Sequence, residues 1–523
     1  MAWIWIAGTL FIPLLLYLYI NLNDRRLTHI PPSAFQVSPA RCTPEDVHET
    51  AARLRENPPS ITDQIPPKTD RRYIVVGGLT FDEAGFLGGW IVIQLLERGE
   101  DPKRIRVVDI RAPVRHDLTT GPAKDVHFIQ ADVSDAAAVA AAFSAPWPDD
   151  VPAGEAAPEI SVFHTAANIR FYEKSKALLA NSAKVNVGGT QNVLDAARSI
   201  GATALVYTSS ASVSVKRTRF LLWPWESEPR RFVQAINEDE AFIPREHDEF
   251  FSNYAVTKMD AERRVRAADR TASGGGVLRT GCLRPGNGIF GPGGDVLAGA
   301  YLVRRVNPSW IGTSVQNFTY VENAAVAHLL YEQRLVALMH GDKNPDIGGQ
   351  AFIIADPGPP PTYNDVYVAL STLDRDTVFP EMSPTLMLLI AHLLEWYYLA
   401  RFKLIAAGVP LAQWVPPIGG DLVNLQPSLF NLVSVHLVFD DSRARLPAAQ
   451  GGLGYKGAWT TLEALHKTAA EHKLGLLRSS QRAAVAGIPM MGFGLFKAQK
   501  GVAKAGATVA QKTGVNPVQV LSK

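Results

Sequence analysis

Tyr254 and Lys258 stand one helical turn apart in the run YAVTK, and Ser210 lies upstream in YTSSASV (207–213). Tyr and Lys at i and i+4 share a helix face. An ammonium beside a phenol favours the phenolate and pulls the tyrosine pKa down from ~10. Such a phenolate can exchange a proton with a hydroxyl or carbonyl, while Ser210 holds the same oxygen by a hydrogen bond. YxxxK alone occurs by chance in many chains, so its weight depends on the surrounding sequence.

Upstream, the apolar run 73–76 meets Gly77 and Gly78, and Gly85, Phe86, Leu87 and Gly88 open a helical stretch. A strand, a glycine turn and a helix start aim backbone N–H groups at a dinucleotide diphosphate. Asp109 ends the next strand, about 20 residues past Gly88, where an acid accepts from the ribose 2′-hydroxyl and repels a 2′-phosphate. NAD is therefore favoured; Arg111 softens that preference and leaves NADP open. Asp109 as a simple turn cap is the bland alternative. Asp132 and Val133 follow the third strand, within reach of the adenine.

The glycine loop is interrupted by LTFDE at 79–83; without it the text reads VVGGAGFLG. The insert would move Gly77 and Gly78 away from the helix start, and Asp82 or Glu83 would compete for its anion site. Like charge beside a diphosphate costs on the order of a kcal/mol or more. Two readings stay open: a splice variant of a working loop, or a block that leaves a non-catalytic membrane scaffold.

Strands expected at 73–76, 105–109, 127–129, 160–164, 205–208 and 278–283 alternate with helices at 85–98, 134–143, 183–199 and 253–267. That alternation predicts an α/β fold with an open, doubly wound parallel sheet and ligands at the carboxyl ends of its strands. The chain has 523 residues, 47% hydrophobic and 20% charged, with net charge +2 and two cysteines, Cys42 and Cys282. No disulfide framework or CxxC metal site is available, and no metal is expected.

Residues 2–20 carry no charge, enough to cross a hydrocarbon core of about 30 Å. Trp3, Trp5, Tyr17 and Tyr19 flank the run, Arg25 and Arg26 follow, and no basic n-region marks a cleaved signal. The division expected is a transmembrane anchor at 1–22, a Pro-rich linker at 23–70, a dinucleotide-binding domain at 71–290, a substrate-binding region at 291–473 and a basic tail at 474–523. Residues 210–254 form a long insertion, a lid or membrane-contacting loop. The apolar run 386–403 reads as a core helix or one lying in a membrane surface. The tail is a solvated segment or a patch for anionic lipid; no module for nucleic acid accompanies its charge.

HTAAN (164–168), KVNVGGTQNVLDAA (184–197), YTSSASV, YAVTK, LRPGNGIFGPG (283–293), QNFTYVENAAVAHLL (316–330), FDDSRAR (439–445) and GLGYK (452–456) complete the pattern. Over roughly three quarters of its length, 73 to about 467, the chain resembles the 3β-hydroxysteroid dehydrogenase family of extended short-chain dehydrogenase/reductases, in particular sterol-4α-carboxylate 3-dehydrogenases. The resemblance implies a Rossmann-type sheet with a smaller C-terminal substrate-capping region. It implies Ser210, Tyr254 and Lys258 as the catalytic trio, Asn186 in a proton relay through water, and Ala166 and Pro285 beside the cofactor. It further implies oxidation of a sterol 3β-hydroxyl at the endoplasmic reticulum membrane. Another apolar alcohol or ketone is the rival substrate class, and a homodimer or sterol-pathway enzyme partners are left open.

Overall fold

The structure, a computed structural model, describes residues 2–77, 85–113, 115–152, 154–293, 295 and 297–475, except the side chains of 2–11, 85, 411 and 421. The insert at 79–83, Gly78, and the tail beyond 475 with its expected lipid patch lie outside the described residues.

Short runs of Val, Ile, Leu and Phe bounded by turns form the central sheet. Its parallel strands are β1 (Arg72–Val76), β2 (Ile105–Asp109), β3 (His127–Gln130), β4 (Ile160–His164) and β5 (Ala204–Thr208). β6 (Val233–Ile236) lies elsewhere, and β7 (Thr271–Ser273) is an antiparallel edge partner of β8 (Gly276–Pro285). After β9 (Ile289–Phe290) and β10 (Thr319–Tyr320), β11 (Ala351–Ile354) returns to the sheet, whose order is β11-β8-β5-β4-β1-β2-β3. β1, between β2 and β4, pairs Val76 with Val108 and with His164. The chain reverses its direction of travel across the sheet there, which opens a crevice at the strand ends.

Both faces are covered, which explains the continuous rather than alternating hydrophobicity of the strands. One layer packs Leu87, Ile91 and Leu95 of the helix Gly85–Glu97 with Ala325, Val326 and Leu329 of the helix Val321–Met339. The other packs Val139 and Phe143, Val193 and Leu194, and Ala261 and Val265 of the helix Asn253–Ala267. Each fully buried Val, Leu, Ile or Phe contributes about 1.5–3 kcal/mol.

Three expectations change. The stretch 23–70 is docked along its length. Its helix Pro44–Glu56, closed by a Thr43–Asp46 capping box, packs on the helices Tyr363–Leu373 and Thr461–Lys473, and Arg53 pairs with Glu463 at 2.9 Å. The region after 290 is not separate, because β11 and the helix Val321–Met339 belong to the central layers. The insertion after Ser210 is likewise woven in: its β6 pairs in parallel with β12 (His436–Phe439) near the C-terminus.

The expected anchor is helical, Ala2–Leu27, with Pro13 inside it. Among the described residues no helix is long and apolar enough to cross a membrane, and the side chains of its first turns are not among them. The run at 386–403 lies in the helix Pro384–Ala406, which buries Leu388 and Ala391 and exposes Leu393 and Trp396.

Candidate active site

β5 delivers the first catalytic candidate. Beyond Thr208 the chain opens into an extended residue, Ser210, whose Oγ accepts from Ser212 N and lies 2.7 Å from Ser212 Oγ, capping the turn Ala211–Ser214. Its neighbour Ser209 is buried and donates to Glu262 at 2.6 Å. The helix Asn253–Ala267 delivers the other two. Ser252 caps it through Ala255 N, and Asn253 N donates to Glu173 O at 2.8 Å, which fixes its first turn against 173–175. Tyr254 and Lys258 leave that helix one turn apart and line the same cleft as Ser210.

Lys258 is 1% exposed, donates from Nζ to Thr208 O at 2.6 Å, and sits 4.2 Å from the centre of the Tyr207 ring. Burial pulls its pKa down to about 7, against the opposing pull of Cys282 and Glu262. Around it the ionisable groups are settled. His164, pushed down to about 3 by burial and the Lys258 charge, is neutral and lies 3.0 Å from Thr190 Oγ1. His328, lowered to about 4 by burial, meets Thr208 Oγ1 at 2.7 Å. Glu262 is fully buried, yet Arg284, Ser209 and Arg266 outweigh that burial and hold its carboxyl below the usual range. Arg284 grips it with two bonds of 2.9 and 2.6 Å. One turn beyond Lys258, this pair fixes the β5 and β8 ends to the helix.

The cleft runs over the ends of β4, β5 and β8 and is lined by Leu87, Thr165, Ile169, Phe171, Pro285 and Asn287 among others. Of the residues expected to hold a dinucleotide, Leu87, Tyr254, Lys258 and Pro285 line it. Gly77 has φ +81°, and a Cβ there would lie 2.4 Å from Ala166, so only glycine lets the β1 turn approach the β4 turn. Asp109 ends β2, buried, accepting from Arg111 N at 3.2 Å, while Arg111 itself is exposed. Asp132 accepts from Ser134 N at 2.8 Å. This glycine turn, acid-ended second strand and crevice suit a nicotinamide dinucleotide. Phe86 and Val133 send their side chains into the core, and Gly88 is buried in its helix, so these three shape the cradle from behind.

Asn186 occupies a π-helical turn, Lys184–Gly189. Its amide accepts from Asn168 N at 2.7 Å and donates to Asn168 O and Thr257 Oγ1. It braces the 168 turn against the residue before Lys258. The sequence reading brought together Ser210, Tyr254, Lys258, Leu87 and Pro285 but missed Glu262, Arg284 and Thr208 O. Their only sequence signal was the arginine of LRPG.

A doubly wound sheet with Ser, Tyr and Lys converging at the ends of β4 and β5 defines an extended short-chain dehydrogenase/reductase. The model of the 3-beta hydroxysteroid dehydrogenase/isomerase family matches residues 74–377, and the chain belongs to that family. It is 32% identical over 414 residues to mouse (Mus musculus) 3 beta-hydroxysteroid dehydrogenase type 7, covering 76% of this chain and 94% of that one. It is 29% identical over 289 residues to 3beta-hydroxysteroid-dehydrogenase/decarboxylase isoform 2 of Arabidopsis thaliana, covering 54% and 44%. Over 182 residues it is 36% identical to the sterol-4-alpha-carboxylate 3-dehydrogenase, decarboxylating, of Candida albicans, covering 34% and 45%. The chain thus spans about half the length or less of the Arabidopsis and Candida relatives.

Proposed function

We propose that the chain oxidises the 3β-hydroxyl of a sterol with NAD, and that the sterol carries a 4α-carboxylate lost as CO2. The observation that carries this reading is the convergence of Ser210, Tyr254 and Lys258 in one cleft at the strand ends. Bound in the cradle of Gly77, Asp109, Ala166 and Pro285, the nicotinamide would supply the hydride acceptor.

Tyr254 acts as the base, taking the hydroxyl proton as the C3–O bond gains double-bond character. Ser210 turns its hydroxyl from Ser212 to the substrate oxygen and holds it beside the phenol. The ammonium form of Lys258, about half-populated at pH 7 given a pKa of about 7, would stabilise the phenolate. Ile169 and Phe171 offer apolar walls suited to a sterol face. A 3-keto-4-carboxylate is a β-keto acid and loses CO2 with no further protein group. The carboxylate is supported by the decarboxylating relatives.

Asp109 favours NAD over NADP. The place of work proposed is the endoplasmic reticulum membrane, with residues 1–22 as anchor, the catalytic domain cytosolic and sterol drawn from the lipid phase. Calorimetry of NAD on the full chain in detergent, with and without residues 79–83, tests the cofactor step. Micromolar binding by the full chain supports the enzyme. Binding only after deletion of 79–83 overturns it in favour of a scaffold.

A further inference from the structure

The insertion after Ser210 has a use that the chemistry leaves unexplained. Trp223 and Trp225, on its outermost turn, stack face to face with ring centres 5.3 Å apart and stand 57% and 77% exposed. Two large indoles held in water forfeit burial worth several kcal/mol, so a contiguous pair implies an apolar partner.

The turn is fastened to the last turns of the helix Ala2–Leu27. Asn23, 1% exposed, donates to Phe220 O at 3.0 Å and to Thr385 Oγ1 at 2.8 Å, and accepts from Leu222 N. Tyr19 donates to Leu222 O, and Arg26 donates to Trp223 O and Pro224 O at 3.0 and 2.8 Å. The helix Pro384–Ala406 begins at the same junction, with Thr385 N donating to Asp24 at 2.9 Å. The N-terminal helix, the tryptophan turn and the apolar helix 384–406 thus form one braced unit.

What covers this unit is indicated by the two turns before it. Residues 12–18 of the N-terminal helix (IPLLLYL) are exposed on every side. A protein partner covers one stripe of a helix, whereas a lipid phase covers its whole circumference. Tyr19 and Arg26 tie the indoles to the level where that apolar run ends, the depth at which Trp and Tyr meet headgroups. Arg26, bonded to the carbonyls of Trp223 and Pro224, brings a charge opposite to that of lipid phosphates, while Arg219 is paired with Glu226 in the same turn.

We propose that the 217–226 turn is an interfacial wedge whose stacked tryptophans seat in the headgroup layer of a phospholipid bilayer, fixing the catalytic domain's tilt. This deepens the membrane reading above and rests on it. The full chain, with Cys42→Ser and Trp225→Cys carrying a polarity-sensitive fluorophore, is reconstituted in phosphatidylcholine vesicles with shallow-brominated acyl chains. A Lys103→Cys probe serves as the reference. The 225 probe is expected to lose most of its emission to bromine and to resist aqueous iodide, with the 103 probe doing the reverse. Equal iodide access at both sites overturns the proposal. So does self-quenching at 225 that disappears on dilution into excess lipid, which would mean that a second copy covers the turn. The readout needs no turnover, so an inactive enzyme with a lipid-quenched 225 probe defeats only the activity.

Discussion

Lys258 carries the sharpest residue-scale consequence. Burial lowers its pKa to about 7 in the fold, whereas the unfolded chain holds that proton to about 10.4. Between these values the unfolded state binds the extra proton, so stability rises with pH through the window, and the penalty is complete below about 7. Lys258→Met should flatten that rise: the urea midpoint of the wild type climbs from pH 7 to pH 9 relative to the variant. Parallel midpoints would contradict the buried, strained ammonium. Glu262 and Arg284 behave differently, because each compensates the other where both side chains are fully buried. Glu262→Gln leaves Arg284 buried without a full counter-charge and should cost about 3–5 kcal/mol in urea unfolding. Ser210, Tyr254 and Lys258 were legible because their spacing lies within local motifs. Glu262 and Arg284 were not, because their pairing exists only once β8 lies beside β5 and under the helix 253–267.

Among the elements, the strands were legible within a residue or two, since buried parallel strands are apolar runs that end at turns. β11 was missed, as Ala351–Ile354 is short and lies far from the other strands in sequence, and so were the short strands β6, β7, β9, β10 and β12. The 23–70 stretch read as a linker because its prolines suggest extension, yet its contacts are made by side chains to residues remote in sequence, such as Ser38 to Pro360 and Arg41 to Asp365. Composition cannot register such pairing. Asn23 carries the N-terminal helix's attachment, and Asn23→Ala should cost about 1–3 kcal/mol by stranding Leu222 N and Phe220 O. Proteolysis near residue 28 should accelerate in that variant; unchanged cleavage would mean that Tyr19 and Arg26 suffice. At the first glycine turn, Gly77→Ala meets both a positive φ and Ala166 at 2.4 Å. A loss of about 1–3 kcal/mol is expected from the clash, together with weaker NAD binding by calorimetry.

At the scale of the whole molecule, the sheet order places the crevice at β1 and β4, and the chemistry-bearing residues come from β5, the helix 253–267 and the turn after β8. Around this core lies a shell that the sequence divided too cleanly. Helices from both termini and the Ser210 insertion close on one another through hydrogen bonds separated by hundreds of residues, which a one-dimensional pattern cannot show. The exposed apolar residues of this shell fit the substrate proposed above, a sterol dissolved in lipid. The most direct test is NADH formation by the full chain in lipid from a panel of 3β-hydroxysterols, each with and without a 4α-carboxylate, with Tyr254→Phe alongside. The account predicts turnover of the carboxylated sterols with release of CO2, and a loss of about 10²–10⁴-fold in Tyr254→Phe with folding intact. Turnover that survives in Tyr254→Phe, or none with any sterol in a chain that binds NAD, would contradict it.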